Sequence, residues 1–174
     1  MVLIVTGGIG SGKSEVCRIL RDNFGYQVYE ADVKAKELYS KFPDLIESIE
    51  TSLACRIRNE CGEFVPSLLA ERIFTDKEAL AEVENILFPY MLKDFDDFCK
   101  AASGPVIMES ATVLEKSQFD GIGDAVILVD EHCPIDSKQI LHHRYISLLY
   151  ISVPSCCQCV LHTVLRSAIG SLFH

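Results

Sequence analysis

Tryptophan is absent from the 174 residues of this sequence, and basic side chains are scarce. Sixteen Lys and Arg residues stand against 25 Asp and Glu residues, which gives a formal net charge of −9. This negative charge argues against nucleic acid or an anionic membrane as the main partner. No apolar run approaches the roughly 20 residues of a membrane span. We therefore expect neither nucleic acid nor a membrane as a partner.

Two further absences bear on location and chemistry. The opening residues "MVLIVTGG" contain no basic region and no small-residue cleavage site, so they predict a strand rather than a signal peptide. Without export, the eight cysteines are expected to be reduced thiols in the cytoplasm. No G-x-S-x-G elbow is found, which argues against a serine hydrolase.

Short apolar runs alternate with segments of helical periodicity. The runs that predict buried strands are 2–6, 26–30, 105–109 and 124–130. Helices are predicted over 13–24, with Gly25 as the stop, over 32–42, over most of 43–61, from Pro66, and over most of 75–101. Pro89 is expected to break or kink the helix in 75–101, which is the longest. The pattern predicts an α/β fold, a doubly wound parallel sheet flanked by helices, with a helical insertion at 36–101.

The segment "GGIGSGKS" follows the first predicted strand and opens the first predicted helix. It fits G-x-x-x-x-G-K-[ST], with Gly7, Gly12, Lys13 and Ser14 at the fixed positions. Glycines allow successive backbone N–H groups to form an anion nest, and the helix N-terminus adds its dipole. In this pattern the lysine reaches the β- and γ-phosphates and the serine hydroxyl ligates Mg²⁺. The segment therefore predicts binding of a nucleotide's phosphates.

Asp32 follows the second predicted strand, at the sheet edge where α/β proteins bind their ligands. A carboxylate at this edge can ligate Mg²⁺ or accept a proton from an attacking hydroxyl. The same residue type is also common as a helix N-cap. The spacing supports these alternatives equally.

Three segments together resemble the dephospho-coenzyme A (dephospho-CoA) kinase family. They are "VTGGIGSGKSEV" at 5–16, "YQVYEADVKAKEL" at 26–38 and "LLAERIFTDKEALAEVENILFPYM" at 68–91. "TVLE" at 112–115 and "VILVD" at 126–130 match later family segments in part. The similarity covers about residues 2–130, and 134–144 retain a faint likeness, with Arg144 near an expected arginine.

The resemblance implies a single P-loop kinase-like domain over 1–174 that phosphorylates the ribose 3′-hydroxyl of dephospho-CoA with ATP and Mg²⁺, in the last step of coenzyme A biosynthesis. It implies Asp32 and Lys13 as catalytic residues and Ser14 and Asp32 as metal ligands. It assigns the insertion at 36–101 to the substrate, with Glu115 either lining the cleft or lying on the surface. The nucleotide-binding residues would be Gly8, Ile9, Gly10, Ser11, Gly12, Lys13, Ser14 and Glu15.

Several positions depart from the family pattern. Glu30 replaces the first Asp of the Asp-Ala-Asp element, Val65-Pro66 replaces Asp-Arg, Phe88-Pro89 replaces His-Pro, and Glu15 stands where relatives often have Thr. No arginine-rich lid follows residue 145, where Arg166 is the only cation. These departures leave two alternatives open: another P-loop small-molecule or nucleotide kinase, and a nucleotide-binding protein that is inactive without the lid.

Composition changes at residue 131. The segment 131–174 contains all five histidines and four of the eight cysteines. It supports three alternatives: a scrambled ending such as one from a shifted reading frame, a variant ending that packs with a strand at 147–153 and an apolar helix, and a metal site. The ligands of that metal site would be Cys156, Cys157, Cys159 and His162. The sequence leaves the oligomeric state open.

Overall fold

The computed structural model describes residues 1–130 and 148–152. Its strands are β1 (Val2–Gly7), β2 (Gln27–Glu30), β3 (Val106–Glu109), β4 (Ala125–Asp130) and β5 (Leu148–Ser152). Its helices are α1 (Lys13–Phe24), α2 (Ala31–Lys41), α3 (Pro43–Leu53), α4 (Pro66–Phe74) and α5 (Lys77–Ala101). Two short 3₁₀ turns, Val113–Glu115 and Ser117–Phe119, lie between β3 and β4. None of the described helices is long and apolar enough to cross a bilayer.

The chain divides into two compact units. The first, the sheet unit, contains Met1–Glu30 and the described residues from Phe98 onward. The second, the helical unit, contains Ala31–Asp97 and overlaps the insertion that the sequence predicts at 36–101. The final turn of α5 belongs to the sheet unit, where Phe98 makes an edge contact with the Tyr29 ring at 5.4 Å between ring centroids.

The sheet has five parallel strands in the order β2-β3-β1-β4-β5. β1 therefore lies between β3 and β4, although β2 follows it in sequence, so the chain winds in both directions from β1. The register places Val5 beside Glu109 and Glu109 beside Glu30. Because all strands are parallel, their carboxyl ends meet at one edge, where α/β folds bind ligands. The predicted doubly wound parallel sheet is confirmed.

One face of the sheet packs on α1. Leu3 and Val5 alternate with residues of the opposite face, and the buried positions of α1 recur at helical spacing. α1 ends at Gly25, whose φ of 71° forms a left-handed C-cap, as the sequence predicts. The cluster between helix and sheet consists of Leu3, Val5, Val16, Cys17, Ile19, Leu20, Tyr26, Ile107, Ala125, Ile127 and Val129. This core fixes the position of the loop between β1 and α1.

Two predictions in the helical unit hold only in part. The segment 43–61, predicted to be mostly helical, is helical over Pro43–Leu53, and the helix ends where Ala54 takes a left-handed conformation with φ of 48°. The chain then forms an antiparallel bridge between Arg58 and Phe64. The sequence predicts a break or a kink at Pro89. The break is absent, because α5 is a single helix whose buried stripe continues on both sides of the exposed proline. The helix predicted from Pro66 is confirmed as α4.

The described part of the tail is the edge strand β5. It pairs with β4 in parallel, with Leu148 beside Val126 and Ser152 beside Asp130. The strand predicted at 147–153 under the packed-ending alternative is therefore confirmed over Leu148–Ser152. The predicted apolar helix and the predicted metal site with Cys156, Cys157, Cys159 and His162 lie outside the described residues.

Candidate functional site

The loop between β1 and α1 adopts a conformation that requires glycine at both ends. Gly7 has a φ of 147°, and a Cβ atom there would lie 2.0 Å from the backbone oxygen of Val129 on β4. Gly12 has a φ of 92° and is the left-handed N-cap residue of α1. Such backbone angles are accessible to glycine but strained for other residues. The sequence pattern and the backbone geometry therefore agree at both fixed glycines.

The start of α1 leaves backbone donors directed out of the helix. The N–H groups of Glu15 and Val16 donate to the Gly12 carbonyl at 3.0 and 3.1 Å. The backbone N–H groups of Lys13 and Ser14 come before the first hydrogen bonds of the helix. Like the first N–H groups of any helix, they have no hydrogen-bond partner within it. Together with the positive end of the helix dipole, they form an anion-binding position.

The Lys13 side chain lies across the loop rather than away from it. Its ammonium donates to the carbonyl oxygens of Gly7 at 3.0 Å and Gly8 at 2.8 Å. The charge is thereby held beside the backbone N–H groups of the nest. A phosphate group at the loop would meet both the N–H donors and this ammonium.

Ser14, the residue predicted to ligate Mg²⁺, is bonded to a carboxylate that sequence analysis missed. Its hydroxyl donates to Oε1 of Glu109 at 3.2 Å. Glu109 ends β3, next to β1 in the sheet, so the two residues meet at the carboxyl edge. A signal existed, since "PVIME" ends its predicted strand on an acidic residue, but strand order is needed to place that residue beside the loop.

The floor of the loop carries negative charge. Burial, reinforced by the charges of Glu109 and Glu30, raises the pKa of the Cys17 thiol to about 12. These two glutamates are register partners on neighbouring strands. The Glu109 carboxylate and the Ser14 hydroxyl bonded to it are oxygen ligands of the kind that Mg²⁺ prefers. Within the described residues, no group of three or more His, Cys, Asp or Glu side chains forms a metal site by itself.

Other predicted nucleotide-binding residues have varied surroundings. Ser11 is buried, and its hydroxyl has no hydrogen-bond partner among the described residues. Ile9 is fully exposed at the loop tip. The Glu15 carboxylate is held by the Arg18 guanidinium at 2.6 and 2.8 Å, so it points along α1 toward the next turn. Gly8 and Gly10 are exposed, with open space where a Cβ would lie.

Asp32 lies in the first turn of α2, two residues beyond the end of β2. α2 begins at Ala31, so Asp32 is inside the helix and the N-cap alternative is wrong. The residue is exposed and belongs to the helical unit. Glu115, the further candidate, is exposed at the end of a 3₁₀ turn in the sheet unit.

Comparisons with known proteins agree on one family. The family model described as dephospho-CoA kinase matches residues 1–144, which include the segment 134–144 where the sequence retains a faint likeness. The dephospho-CoA kinase of Porphyromonas gingivalis is 35% identical over 126 residues, which are 72% of this chain and 61% of that protein. The enzyme of the same name from Fusobacterium nucleatum is 27% identical over 147 residues, covering 84% of this chain and 75% of that protein.

Two solved structures share the fold. The crystal structure of TT1252 from Thermus thermophilus has a TM-score of 0.74 and 18% identity, with 100% of this chain and 98% of that chain covered. The dephospho-CoA kinase from Campylobacter jejuni has a TM-score of 0.66 and 16% identity, with 98% and 96% covered. By sequence, the chain spans 61% to 75% of the two curated relatives above.

Proposed function

Because the chain belongs to the dephospho-CoA kinase family, we propose that it transfers the γ-phosphoryl group of ATP to the ribose 3′-hydroxyl of dephospho-CoA. The observation that carries this proposal is the loop from Gly7 to Ser14. Its strained glycines, helix N-terminus and inward-folded Lys13 form a phosphate cradle. We propose that this reaction takes place in the cytoplasm, where free thiols such as the four described cysteines stay reduced.

The phosphates of ATP would bind to the backbone N–H groups of the loop. Phosphoryl transfer depends mainly on positioning and on neutralising the charge of the transferred group. Lys13, now on the carbonyls of Gly7 and Gly8, would turn its ammonium to the β- and γ-phosphates. The surrounding N–H groups fix the chain of phosphates, so that the terminal group is presented to the acceptor.

The residues at the loop fit a bound Mg²⁺. Ser14 would hold the ion through its hydroxyl, and Glu109 would accept a hydrogen bond from the serine or from a water on the metal. When bound, the ion neutralises charge on the β- and γ-phosphate oxygens. Asp32 is the other metal ligand that the resemblance to the family implies.

Asp32 would act on the acceptor. Its carboxylate would hold the 3′-hydroxyl and accept the proton that this group releases as its oxygen attacks the γ-phosphorus. The resemblance to the family assigns this role, and the exposure of Asp32 in the first turn of α2 is compatible with it.

A second candidate function is nucleotide binding with negligible turnover. It is favoured by one observation in the sequence, namely that Arg166 is the only basic residue after Arg144. Arginines that neutralise the transferred phosphoryl group contribute about 10³–10⁵ in rate in other phosphoryl-transfer enzymes. Transfer to a different small-molecule acceptor is the remaining alternative.

Product analysis separates these functions. The protein is incubated with Mg·ATP and dephospho-CoA, and the product is identified by mass spectrometry and phosphorus NMR. One added phosphoryl group at the ribose 3′ position supports the proposal. Binding of ATP without any phosphorylated acceptor supports the inactive alternative. A product from a panel of other alcohols, with none from dephospho-CoA, supports another acceptor.

A further inference from the structure

An acidic residue lies in the first turn of α1, directly after the phosphate loop. Gly12 is the N-cap of α1, which begins at Lys13, so Glu15 is its third helical residue. A glutamate at the third position can fold back, so that its carboxylate accepts the backbone N–H of the N-cap residue. The Cα–Cβ bonds of a helix tilt toward its N-terminus, which favours this direction. Glu15 is therefore within reach of the N–H groups that we assign to the phosphates.

In the structure, this carboxylate is turned away from the loop. Both of its oxygens accept hydrogen bonds from the Arg18 guanidinium: Oε2 of Glu15 accepts from Nε at 2.8 Å, and Oε1 accepts from Nη2 at 2.6 Å. Such two-point contacts between arginine and a carboxylate fix the orientation of both groups. Because Arg18 is three residues further along α1, the contact holds the carboxylate on the side of the next turn.

Arg18 is itself held from its other side. Its Nη1 donates to Oδ2 of Asp22 at 3.2 Å, and Asp22 also accepts from Nε of Arg21 at 3.0 Å. The four charged side chains form a chain of ion pairs along the exposed surface of α1, and their formal charges sum to zero. Exposed pairs contribute little to the stability of a fold. The main consequence of this chain is therefore the placement of the Glu15 carboxylate.

A released Glu15 carboxylate would compete with phosphate groups. Carboxylates and phosphates both prefer the N-terminus of a helix, because its N–H groups and its dipole attract anions. Glu15 belongs to the same chain as the loop, so its effective concentration at that position would be high. Its negative charge would also repel the phosphates. Access of a nucleotide to the loop thus depends on where this side chain is held.

Resting on the proposed function, we propose that Arg18 is a positioning residue for ATP, which holds the Glu15 carboxylate away from the phosphate loop. Arg18 acts through Glu15 and not by contact with the nucleotide. The N–H groups at the start of α1 are thereby left open for the phosphates. The departure from the family pattern at Glu15 is compensated within the same helix.

Three variants and one control test this role. Arg18→Gln removes the guanidinium and releases Glu15. Glu15→Ala removes the competing carboxylate, and the double variant Glu15→Ala/Arg18→Gln removes both groups. Arg21→Gln is the control, because it removes the same charge from the same helix at an exposed pair with Asp22. Circular dichroism checks that each variant is folded.

Binding of Mg·ATP and of Mg·diphosphate is measured by calorimetry. Diphosphate has neither base nor ribose, so it reports on the phosphate loop alone. We expect Arg18→Gln to weaken both ligands about tenfold, because an ionised group then competes for their hydrogen-bond donors. Glu15→Ala should bind both ligands up to about threefold more tightly, because a nearby negative charge is lost. The double variant should match Glu15→Ala.

The control should bind both ligands within about twofold of the unmodified protein, because Arg21 lies about 9 Å further along the helix axis than Glu15, where salt screens its charge. Two further measurements separate positioning from a general effect on structure. In turnover assays, Arg18→Gln should raise the KM for ATP about tenfold while kcat stays within about twofold. In NMR spectra without nucleotide, the backbone N–H resonance of Gly12 should shift in Arg18→Gln and return in the double variant.

The outcomes distinguish this inference from the proposed function. If the expected pattern of ATP binding is found but dephospho-CoA is not phosphorylated, the function is overturned and the role of Arg18 stands. If dephospho-CoA is phosphorylated while Arg18→Gln binds ATP like the control, the role of Arg18 is overturned and the function stands. A loss of affinity in Arg18→Gln that Glu15→Ala does not restore would also contradict the inference, since Arg18 would then act independently of Glu15. Failure of the unmodified protein to bind ATP would overturn both.

Discussion

The Ser14 hydroxyl donates a hydrogen bond of 3.2 Å to Glu109, which joins the first turn of α1 to the carboxyl end of β3. The two residues are 95 positions apart in the sequence. Their contact results from the strand order, which places β3 directly beside β1. It sets a carboxylate next to the hydroxyl that we propose as a Mg²⁺ ligand, so Glu109 becomes part of the proposed metal site.

Glu109→Gln keeps the size of the side chain and removes its charge. We expect the apparent affinity for Mg²⁺ in the kinase assay to fall about 10- to 100-fold, the usual effect of losing a group that supports a metal ligand. Glu47→Gln, an exposed position on α3, serves as the matched control. An unchanged Mg²⁺ titration for Glu109→Gln would remove this carboxylate from the metal site.

Gly7 and Gly8 should respond differently to alanine. At Gly7 the added Cβ would overlap the Val129 carbonyl, and the φ of 147° is strained for alanine, so we expect a loss of about 3 kcal/mol or more in unfolding free energy. At Gly8 no atom lies within 4 Å of the added Cβ. We expect Gly8→Ala to change stability by less than about 1 kcal/mol. Urea unfolding measures both.

The same two variants separate folding from binding. The methyl group of Gly8→Ala would extend into the open space that we assign to the phosphates, so ATP affinity should fall at least about tenfold. Calorimetric titration with Mg·ATP measures this change in a protein that is still folded. Full ATP affinity in Gly8→Ala would argue that the phosphates bind elsewhere.

The ion pair between Glu50 and Arg58 should make the stability of the helical unit depend on pH. The hydrogen bond from Arg58 lowers the pKa of Glu50 below its ordinary value of 4.5, helped by the Ile57 N–H and opposed by burial. Because the pKa of Glu50 is lower in the folded state than in the unfolded state, its ionised carboxylate stabilises the fold at any pH above the unfolded-state pKa. This stabilisation is lost as the pH falls through the folded-state pKa. Glu50→Gln should therefore lower the Tm by a few degrees at pH 7 and by much less at pH 3.

An exposed ion pair provides the control for Glu50. Lys93 and Asp97 keep 68% and 56% of their side chains exposed, whereas Glu50 and Arg58 keep 17% and 30%. Exposed pairs contribute little to stability. Lys93→Gln should leave the Tm nearly unchanged at both pH values. An equal effect of Glu50→Gln at pH 7 and pH 3 would contradict an electrostatic origin.

Tyr26 offers a test of buried polar groups in the sheet unit. Its hydroxyl is buried and has no hydrogen-bond partner within the described residues, and burial raises its pKa. A buried hydroxyl without a partner costs about 1–3 kcal/mol of desolvation, so its removal need not destabilise the protein. Tyr26→Phe should unfold at the same or a higher urea concentration. A large loss of stability would reveal a partner for this hydroxyl.

Local sequence signals were sufficient for the sheet and the phosphate loop. β1, β3 and β4 are short and mainly apolar, and the loop motif has glycine at Gly7 and Gly12, where the backbone angles favour it. The end of α1 was predicted from Gly25, because a left-handed C-cap favours glycine. These features depend on residues that are neighbours in the chain.

Features that depend on distant contacts were not predicted. Glu109 could be placed beside Ser14 only once β3 was known to lie next to β1. The segment 43–61 was predicted to be mostly helical, but beyond Leu53 the bridge from Arg58 to Phe64 and the bonds to Glu50 override any local helical preference. Arg58 and Phe64 also line a cavity of about 900 Å³ within the helical unit, which periodicity alone does not reveal. The break predicted as one alternative at Pro89 is absent for the same reason, since packing of α5 outweighs the one backbone hydrogen bond that a proline cannot donate.

The most direct test of the proposed function is dephospho-CoA-dependent release of ADP by the unmodified chain and by Asp32→Asn. The account predicts that dephospho-CoA stimulates ADP release from Mg·ATP and that Asp32→Asn lowers kcat about 10²- to 10⁴-fold, while ATP still binds. The account is contradicted if the unmodified chain binds ATP and releases no ADP in response to dephospho-CoA. Full activity of Asp32→Asn would contradict the role of this residue as the base.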